Sequence, residues 1–455
     1  MKPARRHAGV VLASQAPGLA QDSPPVPDPQ SPLVTHPPAL TAIPTANDLA
    51  KIADRCVRCG LCLPHCPTYR LARQEAESPR GRIALIQAWA EGELNDTPAL
   101  RQHLDSCLEC LACERACPTL VPFASLMDGA RAAHWRTQPA WRRVLRQAWL
   151  ALLASTGAAV VIGAAGLLYR GLGLARLVSG SGLTRWPGIR ALHRLALQLE
   201  ALPRIPPATA AREATRGPIG LFLGCIARTA QPGAIAASVQ VLRRLGYVVV
   251  MPPGQTCCGG MHRHNGLPGS ADDYLDTNAQ AFTDLPVVGL ASACVAELRA
   301  QPHLAATQEI CRLLADLDWP ATVPLRPLRG RIAIHVPCSH RNRLRDAQAA
   351  RDLLRRIPDV ELIDLPENDL CCGAAGTYLL QQPSLSQALL RPKLAHLAAS
   401  GARILVTTNT GCALHLAAGV REAGLAVEVL HPVEVIARQL AGTEPAFDGE
   451  EHALP

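Results

Sequence analysis

Four cysteines fall between Cys56 and Cys66 in "CVRCGLCLPHCPTYR", at Cys56, Cys59, Cys62 and Cys66, and Pro67 follows the last. The pattern returns in "CLECLACERACPT", at Cys107, Cys110, Cys113 and Cys117, again followed by a proline, Pro118. Both copies read C-x2-C-x2-C-x3-C-P. Iron is held by thiolates, and a cubane needs four of them converging from different directions. Three at x2 spacing wrap one corner of a cubane within a single tight loop. The fourth, after x3 and before proline, points away and reaches a second cluster. The expected ligation is therefore crossed. Cys56, Cys59 and Cys62 join Cys117 around one [4Fe–4S] cluster, and Cys107, Cys110 and Cys113 join Cys66 around the other. Structural zinc, the main competitor, uses paired C-x2-C units rather than this dense run.

The remaining nine cysteines all follow residue 216, and eight of them form two sets of one design. Each set has a cysteine about 32 residues before an adjacent Cys-Cys-Gly and another 36 to 40 after it. The first set is Cys225, Cys257, Cys258 and Cys294; the second is Cys338, Cys371, Cys372 and Cys412. Two neighbouring thiols hardly share one packed role, and the glycine lets the backbone turn closely past a metal. Metal binding in at least one set stands against structural or redox-active thiols. Cys311 falls outside both sets and reads as a buried structural thiol. His262, His264, His340 and His415 lie close in sequence. Hydrogen bonding or solvent exposure is the ordinary role for each, with ligation or proton handling the alternative.

These residues need elements to position them. Between Cys66 and Cys107, "SPRGRIALIQAWAEGEL" predicts a helix, which leaves little room for a compact ferredoxin of β-hairpins. An α-helical ferredoxin module over 47–135, similar to the cluster domain of succinate dehydrogenase iron–sulfur subunits, suits the insert. Arg80 and Arg82 either favour a reduced cluster by their charge or cap and solvate a helix start. From 216 to 442, short apolar strands alternate with amphipathic helices, and each strand delivers a cysteine at its C-terminal end. This predicts a pseudo-twofold repeat of a parallel α/β unit, with halves at 216–325 and 326–442. Between the modules, 136–215 reads as a helical linker. It contains the uncharged run Gln147–Tyr169, long enough to span a bilayer. Its glycines, alanines and flanking arginines favour a buried or interfacial helix pair. A Pro-rich tail, expected to be disordered, covers 1–46, and a short tail covers 443–455.

Composition bounds the partners. Aromatics make up 3% of the chain and the formal charge is +8. Only Lys2, Lys51 and Lys393 are lysines, a bias that reads as genomic composition. No basic run interleaved with aromatics suggests nucleic-acid binding. The charge suits an anionic lipid surface or an acidic partner as well as a scattered basic surface. The opening "RRHAGVVLASQAPGLAQ" faintly resembles a twin-arginine signal, but its apolar run is too short for export. Seventeen cysteines then point to a reducing cytoplasm. No dinucleotide-binding glycine fingerprint is present, so a flavin would belong to another chain.

The order of "CVRCGLCLPHCPTYR", "ESPRGRI", "CLECLACERACP", "TCCGGMHRHNG", "CCGAAGTYLLQQP", "TTNTGC" and "HPVEVIA" resembles the iron–sulfur subunit of glycolate oxidase (glycolate dehydrogenase) from about Ala46 to Leu440. The resemblance implies an electron-transfer subunit of an oxidoreductase, unable to oxidise substrate alone. FAD-binding partner subunits would oxidise glycolate to glyoxylate. This chain would carry the electrons toward the quinone pool or another respiratory acceptor, from the inner face of the cytoplasmic membrane. Related subunits of lactate or glycerol-3-phosphate dehydrogenases are the nearest rivals. A catalytic subunit like that of heterodisulfide reductase is another, though neither set ends in C-x2-C. The family tends to show Asn…Gly-Cys before the last cysteine of a half. "TTNTGC" keeps this and "ASAC" at Cys294 does not, so a further cluster is expected more readily in the second set than in the first.

Overall fold

The computed structural model describes residues 44–198 and 215–441. The tail at 443–455, the twin-arginine-like segment and nearly all of 1–46 lie outside these residues. From 44 to 198 every regular element is a helix. The first, Ala46–Ala53, starts at a reciprocal cap. Thr45 Oγ1 accepts from the Asp48 N–H at 3.2 Å, and the Thr45 N–H donates to Asp48 at 3.0 Å. The helix foreseen in the insert is Pro79–Ala90. Ser78 Oγ caps it by accepting from the Gly81 N–H, and Pro79 occupies its first turn. Gly81 must be glycine, because a Cβ there would lie 1.9 Å from the Glu75 carbonyl oxygen. Leu49, Ile86, Leu104, Leu126 and Met127 form the core under both cysteine loops.

The linker is also helical, as Ala140–Ala154, Thr156–Gly171, Leu174–Gly180 and Pro187–Ala196. The apolar run Gln147–Tyr169 is not one rod. Ser155 turns extended and caps the following helix through the Ala158 N–H at 3.3 Å. Among the described residues no single helix is long and apolar enough to cross a membrane. Val161–Gly171 and Leu174–Gly180 form an apolar pair bent by 70°.

Two four-stranded parallel sheets follow. In the first, β1 (Pro218–Phe222), β2 (Val248–Val250), β3 (Val287–Gly289) and β4 (Gln308–Glu309) lie in the order β2-β1-β3-β4. In the second, β5 (Gly330–Ile334), β6 (Val360–Asp364), β7 (Ile404–Val406) and β8 (Glu428–Leu430) lie in the order β6-β5-β7-β8. The repeat is thus strand for strand, with Gly220 opposite Val287 and Ile332 opposite Ile404. The halves share one core. Ile235, Val241 and Leu242 of the first are continuous with Ile332, Leu353, Val433 and Ile436 of the second. Apolar faces of helices from both halves close on each other, which short strands buried on one side alone could not achieve.

Candidate metal centres

The two C-x2-C-x2-C loops are built alike. Arg58 and Glu109, two residues after the first cysteine of each motif, have φ of 56° and 49°; Gly60 and Leu111, two further on, have 84° and 57°. Left-handed residues curl the loop so that successive thiols face inward, and such strain persists where the surroundings enforce it. One cavity is lined by Cys56, Cys59, Cys62 and Cys117 together with Cys113, Arg80 and Ile83. A second is lined by Cys66, Cys107, Cys110 and Cys113 with Thr68, Arg82 and Phe123. Cys113 therefore borders both. Burial pushes the Cys62 thiol up to about 11 and raises Cys107, Cys110 and Cys113 as well. Taking thiolate-binding iron into these cavities would release protons and relieve that burial cost. Eight cysteines lining two cavities fit the donor chemistry of iron–sulfur clusters.

The two arginines differ. Arg82 is 1% exposed. It donates to the Glu77 carboxylate at 2.6 Å, Thr68 Oγ1 at 3.1 Å, Ser106 Oγ at 2.8 Å and the His103 carbonyl at 2.8 Å. It clamps the segment after Cys66 to the segment before Cys107, beside both thiols. Arg80 borders the first cavity but is partly exposed and paired with Glu75 at 2.6 Å.

The Cys-Cys-Gly turns are also twins. Gly259 and Gly373 have φ of 84° and 93°, and a Cβ on either would lie 2.6 Å from a helix carbonyl oxygen, that of Ala271 or Ser386. A side-chain amide ties each turn to the strand exit carrying the first cysteine. Gln255 accepts from the Leu223 N–H at 2.8 Å and donates to the Leu221 carbonyl. Asn368 does the same at Val336 and Ile334. The thiols of each set gather. Cys225 and Cys257 are 3.5 Å apart, Cys338 and Cys371 3.9 Å, and Cys372 and Cys412 3.2 Å. In the first set, hydrogen bonding to a neighbouring thiol and then burial push Cys257, Cys258 and Cys294 up. In the second, hydrogen bonds with Cys338 and Cys372 hold Cys371 well below the ordinary thiol range.

All eight of these cysteines line one cavity of about 220 Å³, and Cys107 and Cys110 line it too. The second half rests on the second ferredoxin loop. Asn342 donates to the Cys110 carbonyl at 2.7 Å, Tyr378 donates to the Ser106 carbonyl at 3.1 Å, and Leu108 packs with Cys371 and Leu389.

The histidines singled out by sequence do not join these thiols. His262 packs at a tilt against Tyr274, and His264 pairs with Glu109 and Asp128. His340 bonds Thr408, and His415 bonds Ser386. His335, which sequence reasoning passed over, has a ring nitrogen within 4.8 Å of the Cys372 and Cys412 sulfurs. Its only signal is its place in "HVPC", three residues before Cys338. Cys311 is fully buried, as expected.

Residues 52–121 match the family model of a 4Fe-4S dicluster domain, and 219–299 and 332–417 each match that of a cysteine-rich domain. The glycolate oxidase iron-sulfur subunit of Escherichia coli (strain K12) is 30% identical over 424 residues, covering 87% of this chain and 96% of that protein. A Bacillus subtilis (strain 168) protein named "probable glycolate oxidase iron-sulfur subunit" is 31% identical over 410 residues, covering 82% and 90%. Lactate utilization protein A of Oceanobacillus iheyensis is 26% identical over 238 residues, 48% of this chain and 96% of its own. A dicluster module followed by the doubled cysteine-rich unit, matched over most of the chain by such relatives, places this chain in the family of glycolate oxidase iron–sulfur subunits, electron-transfer components of oxidoreductases.

Proposed function

We propose that this chain takes electrons from FAD-binding partner subunits that oxidise glycolate to glyoxylate and passes them toward the quinone pool or another respiratory acceptor. The observation that supports this most is contiguity. Cys113 borders both ferredoxin cavities, and Cys107 and Cys110 border both the second of these and the large cavity holding the later cysteines. The ligand sets are crossed: Cys56, Cys59, Cys62 and Cys117 for one [4Fe–4S] cluster, and Cys107, Cys110, Cys113 and Cys66 for the other. Bound there, the clusters would supply one-electron transfer. The chain's part is to hold and insulate them. The buried Arg82 charge, beside Cys66 and Cys107, favours the reduced form of the second; Arg80, more screened, acts more weakly on the first. A further metal centre sits on Cys338, Cys371, Cys372 and Cys412. Cys225, Cys257, Cys258 and Cys294 form the weaker set. Cys59→Ser or Cys110→Ser should lower iron content and abolish dye-linked electron transfer by the complex, while the partner flavin is still reduced by glycolate. Full iron with retained activity would sink the assignment.

The linker supplies the membrane side. From 140 to 198 there are eight arginines and no acidic residue. Trp141, Trp149 and Trp186 are exposed there with Leu168, Leu172 and Leu177. Tryptophan beside arginine on short amphipathic helices suits the boundary of an anionic bilayer. Full-length protein should sediment with phosphatidylglycerol vesicles, less with phosphatidylcholine, and lose binding as salt rises. No sedimentation with either at low salt would end this reading.

A further inference from the structure

We infer that His335 Nε2 is a ligand, alongside Cys372 and Cys412, to the metal centre of the second cysteine-rich half. This rests on the proposal above that the second half is metallated. His335 is 1% exposed and lies just past the end of β5. Its Nδ1 is 2.9 Å from Thr407 Oγ1, a hydroxyl that can accept from an Nδ1–H. In that tautomer the lone pair is on Nε2, which has no hydrogen-bond partner although it is buried. A ring nitrogen of His335 and the sulfurs of Cys372 and Cys412 all lie within 4.8 Å of one another. An orphaned acceptor in that position, with its other nitrogen anchored by a hydroxyl, is the arrangement of a metal-ligating imidazole with its outer hydrogen bond.

The first half offers the contrast. Three residues before its leading Cys225, where the second half has His335, stands Phe222, a buried carbon ring. Only the second half can therefore present a mixed nitrogen–sulfur donor set from this position. With His335 beside Cys372 and Cys412, a neutral imidazole takes the place of one of that half's four thiolates, which raises the reduction potential of an iron–sulfur centre. His335 would thus set the second half apart in potential from the all-thiolate sites next to it. The same donors suit a single zinc ion, and the metal itself tells the two apart.

The test uses the full-length chain purified anaerobically after growth with ordinary or 15N-labelled histidine. Iron and zinc are counted in wild type, Cys372→Ala and Cys412→Ala. If iron is lost from these variants, pulsed EPR of the signal they lack should show a nitrogen hyperfine coupling that changes with the label. The coupling should vanish in His335→Phe, while His335→Cys should retain the metal at a lower potential. If zinc is lost instead, X-ray absorption should show one nitrogen among sulfurs in wild type and sulfur alone in His335→Cys. Metal lost from the cysteine variants with no histidine nitrogen in the wild-type spectrum would overturn the inference and leave the metallated second half standing. Metal counts unchanged in both cysteine variants would overturn both. The labelled wild-type spectrum needs no variant to fold.

Discussion

The two cysteine-rich halves share a scaffold but differ in what they bring to the thiols. Sheet order, the left-handed glycine and the amide clasp are the same in each. The second half adds two things. His335 replaces Phe222. Asn409 caps the helix carrying Cys412 by accepting from the Cys412 N–H at 3.3 Å, where Ala291 gives the Cys294 helix no side-chain cap. Both halves touch the second ferredoxin loop, the second through Asn342 and Tyr378 and the first through His264 on Glu109. A duplicated fold needs its turns and strand exits in both copies to stay folded, whereas a donor such as His335 is needed only where a metal is held.

The largest expected difference is in metal content. Cys371→Ala should remove the metal of the second half and sharply cut electron transfer through the complex, while Cys257→Ala should leave the metal count unchanged. Equal losses from both would make the halves functional equals. Next come the glycines. Gly259→Ala and Gly373→Ala each place a Cβ in left-handed backbone, at about 1–2 kcal/mol, and each also meets a carbonyl oxygen. Both should unfold at lower temperature to a similar degree, but only Gly373→Ala should disturb metal binding.

The halves also meet at equivalent positions. Glu309 and His431 each cap the helix after the last strand of their half, and they lie 3.9 Å apart. Burial pushes the Glu309 carboxyl up to about 8 from an ordinary 4.5, and pushes His431 down to about 4. A carboxyl raised on folding contributes stability that is complete below about pH 4.5 and is lost as pH rises through 8. Glu309→Gln should therefore melt like wild type in acid and become the more stable protein toward pH 8.5. The gap should widen by up to about 1 kcal/mol per pH unit between those limits. A constant difference across that range would place the proton elsewhere. The smallest effect is expected from Asn409→Ala, about 1 kcal/mol for a lost cap. It should loosen the Cys412 helix without a counterpart at Ala291, and hydrogen exchange of the two helices would show it.

Local spacing made the ferredoxin cysteines and the repeat legible, because C-x2-C loops and strand–turn–helix units are written in contiguous residues. The helical module followed from the insert around "SPRGRI", for the same reason. The uncharged run already favoured a helix pair, but not the place of its break, since a capping serine, Ser155, counts for little among 23 uncharged residues. His335 was missed because its role depends on Thr407 and Cys412, some 70 residues away on the next strand and helix. The continuous core and the shared cavity depend on long-range packing of the same kind. Arg82 could be read either way until its partners on both sides of the insert were seen.

Iron and acid-labile sulfide per chain, measured on anaerobically purified protein with EPR after dithionite reduction, test the central claim most directly. The expected result is at least about eight irons with two interacting cubane signals, and any excess lost in Cys371→Ala. Zinc in place of iron, or a single cubane of about four irons, would contradict it.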